Sequence, residues 1–121
     1  MKGLLIRPPW IDWILDGRKT WEIRGSQTRV RGTIALIQSG TGTIVGTVDI
    51  INSREISPAE YYGAESLHCI ANAASHPLPY SRIHAWELHN PRRLPEPIAY
   101  THPRGAVIWV HLSPSLLPLK R

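Results

Sequence analysis

Lys19, Glu22 and Arg24 place an ammonium, a carboxylate and a guanidinium within six positions, with the indole of Trp21 among them. An ammonium partly withdrawn from water binds its proton less tightly and becomes a base or a nucleophile. A carboxylate beside it activates water or shuttles a proton. A guanidinium orients that carboxylate or stabilises developing negative charge. Such a trio is competent for amide hydrolysis, or for cleaving a phosphodiester with help from a ribose hydroxyl. On an open strand the same residues would form a surface ion-pair ladder, worth at most about 1 kcal/mol per pair. Direction decides between these readings. In a regular strand over residues 19–24, Lys19, Trp21 and Ile23 share one face and Thr20, Glu22 and Arg24 the other. Lys19 then reaches Glu22 only from the turn before the strand, or through a bulge. The pairing of Glu22 with Arg24 needs neither device.

Gly17 and Gly25 bracket this segment. Residues 10–16 read as a two-turn helix with Trp10, Ile11, Ile14 and Leu15 on one face, Asp12 suited to its N-terminal dipole, and Gly17 as a left-handed stop. Trp13 lies off the centre of that stripe, where it roofs a cleft or packs at a rim. Before the helix, Leu4-Leu5-Ile6 is a short buried strand ended by Pro8-Pro9. After Gly25, residues 26–32 form a polar loop with two arginines, either solvated or phosphate-facing. Residues 33–38 and 43–51 are strands rich in Ile, Val and Thr, joined through Ser39-Gly40-Thr41-Gly42. That turn lets a ligand approach backbone N–H groups, although it lacks the GxxxxGK[ST] pattern of a P-loop. Gly46 within the second strand marks a barrel bend or a close backbone approach.

Ser57-Pro58-Ala59-Glu60 is a helix start, with Ser as N-cap, Pro in the first turn and Glu bonding back, so Glu60 is read as a cap and not an acid catalyst. A second helical stretch is expected over about residues 64–74, burying Leu67, Ile70, Ala71 and Ala74, with His76-Pro77 ending it. Residues 82–89 alternate as a strand. Residues 91–97 carry three prolines and are expected at an edge or in a loop. The near-continuous apolar run Ala106–Leu112 reads as a central strand, and residues 113–121 as a short tail.

With 121 residues the chain is expected to form one domain over 1–121. No apolar run approaches the roughly 18 residues of a membrane span. The start, Met1–Arg7, holds too few apolar residues for a signal peptide, so a cytoplasmic location is expected. The lone Cys69 excludes an internal disulfide and fits a reducing compartment. Within the second helix it would be buried and inert. Fourteen Lys and Arg against nine Asp and Glu give a net charge of +5, which favours anionic partners. Five Trp and four Tyr without Phe suit a pocket that stacks on a base, although Trp109 is expected in the core. The six histidines include no HExxH and no pair at metal-binding helix spacing, and there is no CxxC. A metal site is therefore not expected. No GxSxG elbow anchors a serine triad.

Gly17-x-Lys19-x-x-Glu22-x-Arg24 resembles the signature of the ASCH domain, a group within the PUA-like superfamily. Pro8-Pro9-Trp10-Ile11, Ile37-Gln38-Ser39-Gly40-Thr41-Gly42, His84-Ala85-Trp86-Glu87-Leu88 and Pro103–Val110 are similar to further stretches of bacterial members, in family order. The resemblance implies an α+β, PUA-like fold: a small mixed or antiparallel β-barrel with two or three helices and a cleft beside residues 17–25. It also implies an association with RNA or modified nucleosides. Some small bacterial ASCH proteins are N4-acetylcytidine amidohydrolases using Lys, Thr and Glu, the Thr three positions after the Lys. Here Lys19 matches the lysine, but Glu22 stands in the threonine's place and Thr20 would face elsewhere. The implied chemistry is then an N4-acyl amide hydrolysis in which Lys19 and Glu22 act through an activated water. Arg24, Trp21, Ser39 and Trp86 would bind a cytidine-like nucleoside or RNA base. Neither a cofactor nor a metal is expected, and oligomeric state is left open. Other members resemble non-catalytic RNA-binding modules or single-strand ribonucleases, which stand as the rival readings.

Overall fold

The computed structural model describes residues 1–73 and 76–116. Six strands and three short helices run in the order β1 (Lys2–Ile6), α1 (Trp10–Leu15), β2 (Trp21–Arg24), β3 (Gly32–Gln38), β4 (Thr43–Ile56), α2 (Pro58–Gly63), α3 (Glu65–His68), β5 (Ile83–Ala99) and β6 (Trp109–His111). The architecture is α+β. The strands form a single mixed sheet ordered β2-β5-β4-β3-β1-β6, in which only β1 and β3 run parallel. The expected barrel does not close: β2 and β6 are the two ends of an open sheet. Arg24 of β2 nonetheless donates from Nη2 to the Leu5 carbonyl oxygen of β1 at 3.3 Å. The sheet thus curls until β2, at one end, faces β1, the strand next to the other end, across a seam that one side chain bridges.

Long strands make this curl. β4 and β5 pair over most of their lengths, with register shifts at Ile44/Gly46, Thr47/Asp49 and Ile50/Asn52, and each irregularity bends the ribbon. Gly46 is required there, because a Cβ would run into Leu15 and the Arg92 carbonyl oxygen. β3 is one of the two middle strands, beside β4. Ile34 and Leu36 pack beneath α1 with Leu4, Ile14 and Val48, while Ala35 and Ile37 face a second cluster with Ile44 and Val110. A strand buried on both faces needs a continuous apolar run, and residues 34–37 supply it.

Several boundaries differ from expectation. The second helix ends at His68, because Cys69 takes a left-handed φ of 61°. Leu67 is consequently exposed and Cys69 half-buried, its Sγ 3.5 Å from the Arg18 carbonyl oxygen. Ala74 lies outside the described residues. The apolar run Ala106–Leu112 yields only the three-residue end strand β6, with Val107 and Ile108 76% and 43% exposed. Its hydrophobicity is divided, with Val110 and Leu112 buried in the second cluster and Val107 and Ile108 on a rim. The proline-rich residues 91–97 do pair with β4, on the half of β5 that β2 does not reach, so they form an edge. Trp109 stacks on Trp86 with ring centroids 5.8 Å apart. The capping box of α2 is present as read, with Glu60 bonded to Ser57 in both directions. Among the described residues, no helix is long and apolar enough to cross a membrane.

Candidate functional site

The seam between β2 and β1 opens into a cavity of about 740 Å³. Lys19, Glu22, Arg24 and Ser39 line it, together with Arg7, Trp10, Gly40, Gly42, Tyr80, Tyr100 and His102.

Lys19 reaches the cavity because it precedes β2. Helix α1 ends with Gly17 at φ +83°, its N–H on the Ile14 carbonyl oxygen and that of Arg18 on Trp13. This pattern is the Schellman close of a helix. The Lys19 N–H also bonds the Trp13 carbonyl oxygen, at 3.0 Å, and the Thr20 N–H bonds that of Leu67. The turn thereby pins Lys19 between the ends of α1 and α3. Its Nζ donates to the His68 carbonyl oxygen at 2.7 Å and stands 3.7 Å from Glu22 Oε1. Lys19 is 2% exposed. Burial lowers its pKa below the usual lysine range, against the opposing pull of Glu22 and Cys69, while Arg24 adds to the lowering.

Glu22, 8% exposed, points from β2 to the face opposite Trp21 and Ile23, which enter the core under α2 and α3. Its Oε2 accepts from Arg24 Nε at 2.7 Å. Arg24 therefore already balances the carboxylate. With a neutral Lys19 amine the cluster carries no net charge, and with an ammonium it carries one buried positive charge. Arg24 lies over the Trp86 ring, 5.5 Å from its centroid, and its Nη1 has no protein partner among the described residues.

The lysine's anchor is itself anchored. His68 is fully buried and stacks on Tyr61 at 4.7 Å. Its Nδ1 accepts from the Ile70 N–H at 2.9 Å, so Nε2 carries the hydrogen and donates to the Tyr61 carbonyl oxygen at 2.8 Å. Burial also pushes the His68 pKa down. A neutral, doubly bonded imidazole thus fixes the carbonyl that receives Nζ.

Two of the expected wall residues stand elsewhere. Trp86 is 2% exposed, with its Nε1 donating to the Ser26 carbonyl oxygen, and supports Arg24 from behind. Trp21 is buried in the second core cluster, under Arg54 at 5.2 Å. Neither lines the cavity. The two indoles enter different core clusters, Trp86 the one under α1 and Trp21 the one under α2 and α3, where a strand side chain packs by default.

The aromatics that do line it are Trp10, Tyr80 and Tyr100. Tyr80 packs against Gly25, where a Cβ would meet its ring at 2.8 Å. Tyr100 Oη lies 2.7 Å from His102 Nδ1, and His102 Nε2 lies 2.9 Å from the Ala106 carbonyl oxygen. A carbonyl only accepts, so Nε2 holds a hydrogen and donates it to Ala106, and Nδ1 pairs with the tyrosine hydroxyl. Burial raises the Tyr100 pKa and keeps that phenol protonated. Sequence reasoning gave Tyr80 and Tyr100 no role and read Trp10 only as part of the apolar face of α1. Spacing gives no hint of Tyr80 and Tyr100, because they arrive from loops after distant elements, whereas Trp10 enters from the first turn of α1. Among the described residues, no three His, Cys, Asp or Glu side chains cluster as metal ligands.

The family model of the ASCH domain matches residues 4–98. Comparison with curated proteins finds no match. Among solved structures the chain is similar to the ASCH protein of Zymomonas mobilis, at 12% identity and a TM-score of 0.72, over 94% of this chain and 88% of that one. A tyrosine-to-phenylalanine variant of the same protein gives 12% identity and 0.72 over 93% and 90%. A serine-to-alanine variant gives 12% and 0.68 over 93% and 88%. At this identity the likeness concerns the fold, which is PUA-like.

Proposed function

The chain belongs to the ASCH domain family, a family associated with RNA binding, and from that premise we propose that it hydrolyses an N4-acyl group from a cytidine-like base held in the seam cavity. The observation that carries this reading is Lys19: a buried amine of lowered pKa beside a carboxylate whose charge another residue already balances. A lysine needed as the sole counter-ion of Glu22 would keep its proton; Arg24 relieves it of that duty.

In the proposed reaction the Lys19 amine takes a proton from a water held between Nζ and Glu22 Oε1. The water oxygen attacks the acyl carbon. Arg24 faces the negative charge that develops on the acyl oxygen, with Nη1 as the available donor. The Lys19 ammonium, stabilised meanwhile by Glu22, returns its proton to the exocyclic nitrogen. The C–N bond breaks, releasing the free amine and a carboxylic acid. Every proton is accounted for within the pair and the water. Tyr80 and Trp10 supply apolar faces for a base.

The test is incubation with N4-acetylcytidine, following the spectral change to cytidine. Turnover in the unsubstituted protein that is lost in Lys19→Ala and in Glu22→Ala supports the assignment. Unchanged turnover in both variants rejects it. RNA affinity with a salt slope and no product from any substrate would indicate a binding module instead. RNA fragmentation that persists in EDTA would indicate a ribonuclease.

A further inference from the structure

The cavity has a second wall that the hydrolysis does not use. It forms where three strand ends meet. In the parallel register Ile6 lies beside Gln38, so Arg7 and Ser39 follow side by side, tied by the Ser39 N–H to the Ile6 carbonyl oxygen at 2.9 Å. The Tyr100 N–H bonds the Gly42 carbonyl oxygen at 3.3 Å and brings the end of β5 to the same turn.

The donors on this wall are unspent. Among the described residues, the Arg7 guanidinium has no hydrogen bond or ion pair, and the Ser39 hydroxyl has no partner. Gly40 and Gly42 hold left-handed φ values of +90° and +69°, with open space where a Cβ would stand. Their N–H groups enter no backbone hydrogen bond among the described residues. The N–H between them, that of Thr41, is spent on the Gln38 carbonyl oxygen, so the two glycine N–H groups are the open backbone donors of the turn. The acceptors nearby are accounted for: His102 is bonded at both nitrogens, and Glu22, the one carboxylate lining the cavity, is held by Arg24. Singly, each donor is a solvated surface group. Together they are four donor groups, one of them a fixed positive charge, around a concave wall, with no negative charge to answer them.

We propose that this wall, Arg7 with Ser39, Gly40 and Gly42, is a phosphate subsite, and that the ligand of the cavity is a nucleotide and not a neutral nucleoside. The inference rests on the reading of the cavity as a nucleoside site. A doubly ionised monophosphate and a singly charged phosphodiester link share the required chemistry: non-bridging oxygens able to take a guanidinium and backbone N–H groups at once.

The test is calorimetric binding of cytidine, its 5′- and 3′-monophosphates and the dinucleotide cytidylyl-cytidine to the full chain. The expected result is roughly tenfold or tighter binding of a phosphorylated ligand than of cytidine. That advantage should shrink as salt is raised, and Arg7→Ala should remove most of it while Arg7→Lys keeps part. A preference confined to monophosphates points to a free nucleotide, and one shared by the dinucleotide points to an RNA link. Equal affinity for cytidine and all phosphorylated forms overturns the proposal, as does an advantage that survives Arg7→Ala or the binding of no ligand. Phosphate preference without deacylation would leave the subsite standing and reject the hydrolysis. Deacylation of the nucleoside without phosphate preference would do the reverse.

Discussion

Two arginines in this chain lie over tryptophan rings and hold carboxylates, on opposite faces of one corner of the sheet. Arg24 covers Trp86 and binds Glu22 at 2.7 Å, facing the cavity. Arg54 covers Trp21 and binds both Glu60 and Glu87 at 3.1 Å, facing solvent. The cross-strand pairs Glu22–Trp86 and Trp21–Glu87 make the two arrangements near mirror images across β2 and β5. Their surroundings differ. The Arg54 side chain is 42% exposed and its two carboxylates outnumber it. The Arg24 cluster is mostly buried and contains a second cation, Lys19. Burial converts an excess of positive charge into a lysine that sheds its proton readily, whereas water lets the outer cluster carry its excess negative charge at little cost.

The largest expected contrast comes from deleting the carboxylates. Glu22→Ala leaves Lys19 and Arg24 facing each other without an anion, and unfolding free energy should fall by about 3 kcal/mol or more. Glu87→Ala should cost about 1 kcal/mol or less. Urea denaturation of both variants measures the difference, and equal losses would break the comparison. Next in size is Arg24→Ala. Lys19 then becomes the one cation left to Glu22 and holds its proton more firmly. Deacylation at pH 7 should drop about a hundredfold, with the acid limb of the pH–rate profile displaced to higher pH. A fall without displacement would mean that Arg24 acts on the substrate alone.

A smaller effect sharpens the role of burial. Folding lowers the Lys19 pKa from 10.5, so between the folded value and 10.5 the unfolded chain binds more protons. Stability relative to Lys19→Met should therefore rise as pH climbs through that window and be lowest below it. Denaturant midpoints from neutral pH to 10.5 measure this; parallel curves would contradict it. The smallest effect belongs to Arg54→Ala, expected to cost about 1 kcal/mol or less in the same titration and to leave deacylation unchanged.

The reach of sequence reasoning follows the same division. Local rules located the stop at Gly17, the cap at Ser57, the tie between Glu22 and Arg24 and the strand at residues 33–38, because each depends on a few adjacent residues. The convergence of Lys19 on Glu22 was legible as a condition, since it required Lys19 to precede the strand, and β2 does begin at Trp21. What escaped depends on distant partners. Trp86 alternates like a cavity wall but is claimed by Ser26 and Trp109. Tyr100 and His102 meet the cavity only through the turn at Gly42. Residues 106–112 have the composition of a central strand, but their place at the end of the sheet leaves much of that surface on a rim.

Between β2 and β1 no main-chain ladder is drawn among the described residues, and one guanidinium spans the interval. The width of the mouth is consequently a free dimension of the scaffold. The same side chain also answers the charge of Glu22, so exchanging that single linker would alter the aperture and the acidity of Lys19 together, and the size of guest admitted is tied to the chemistry done on it.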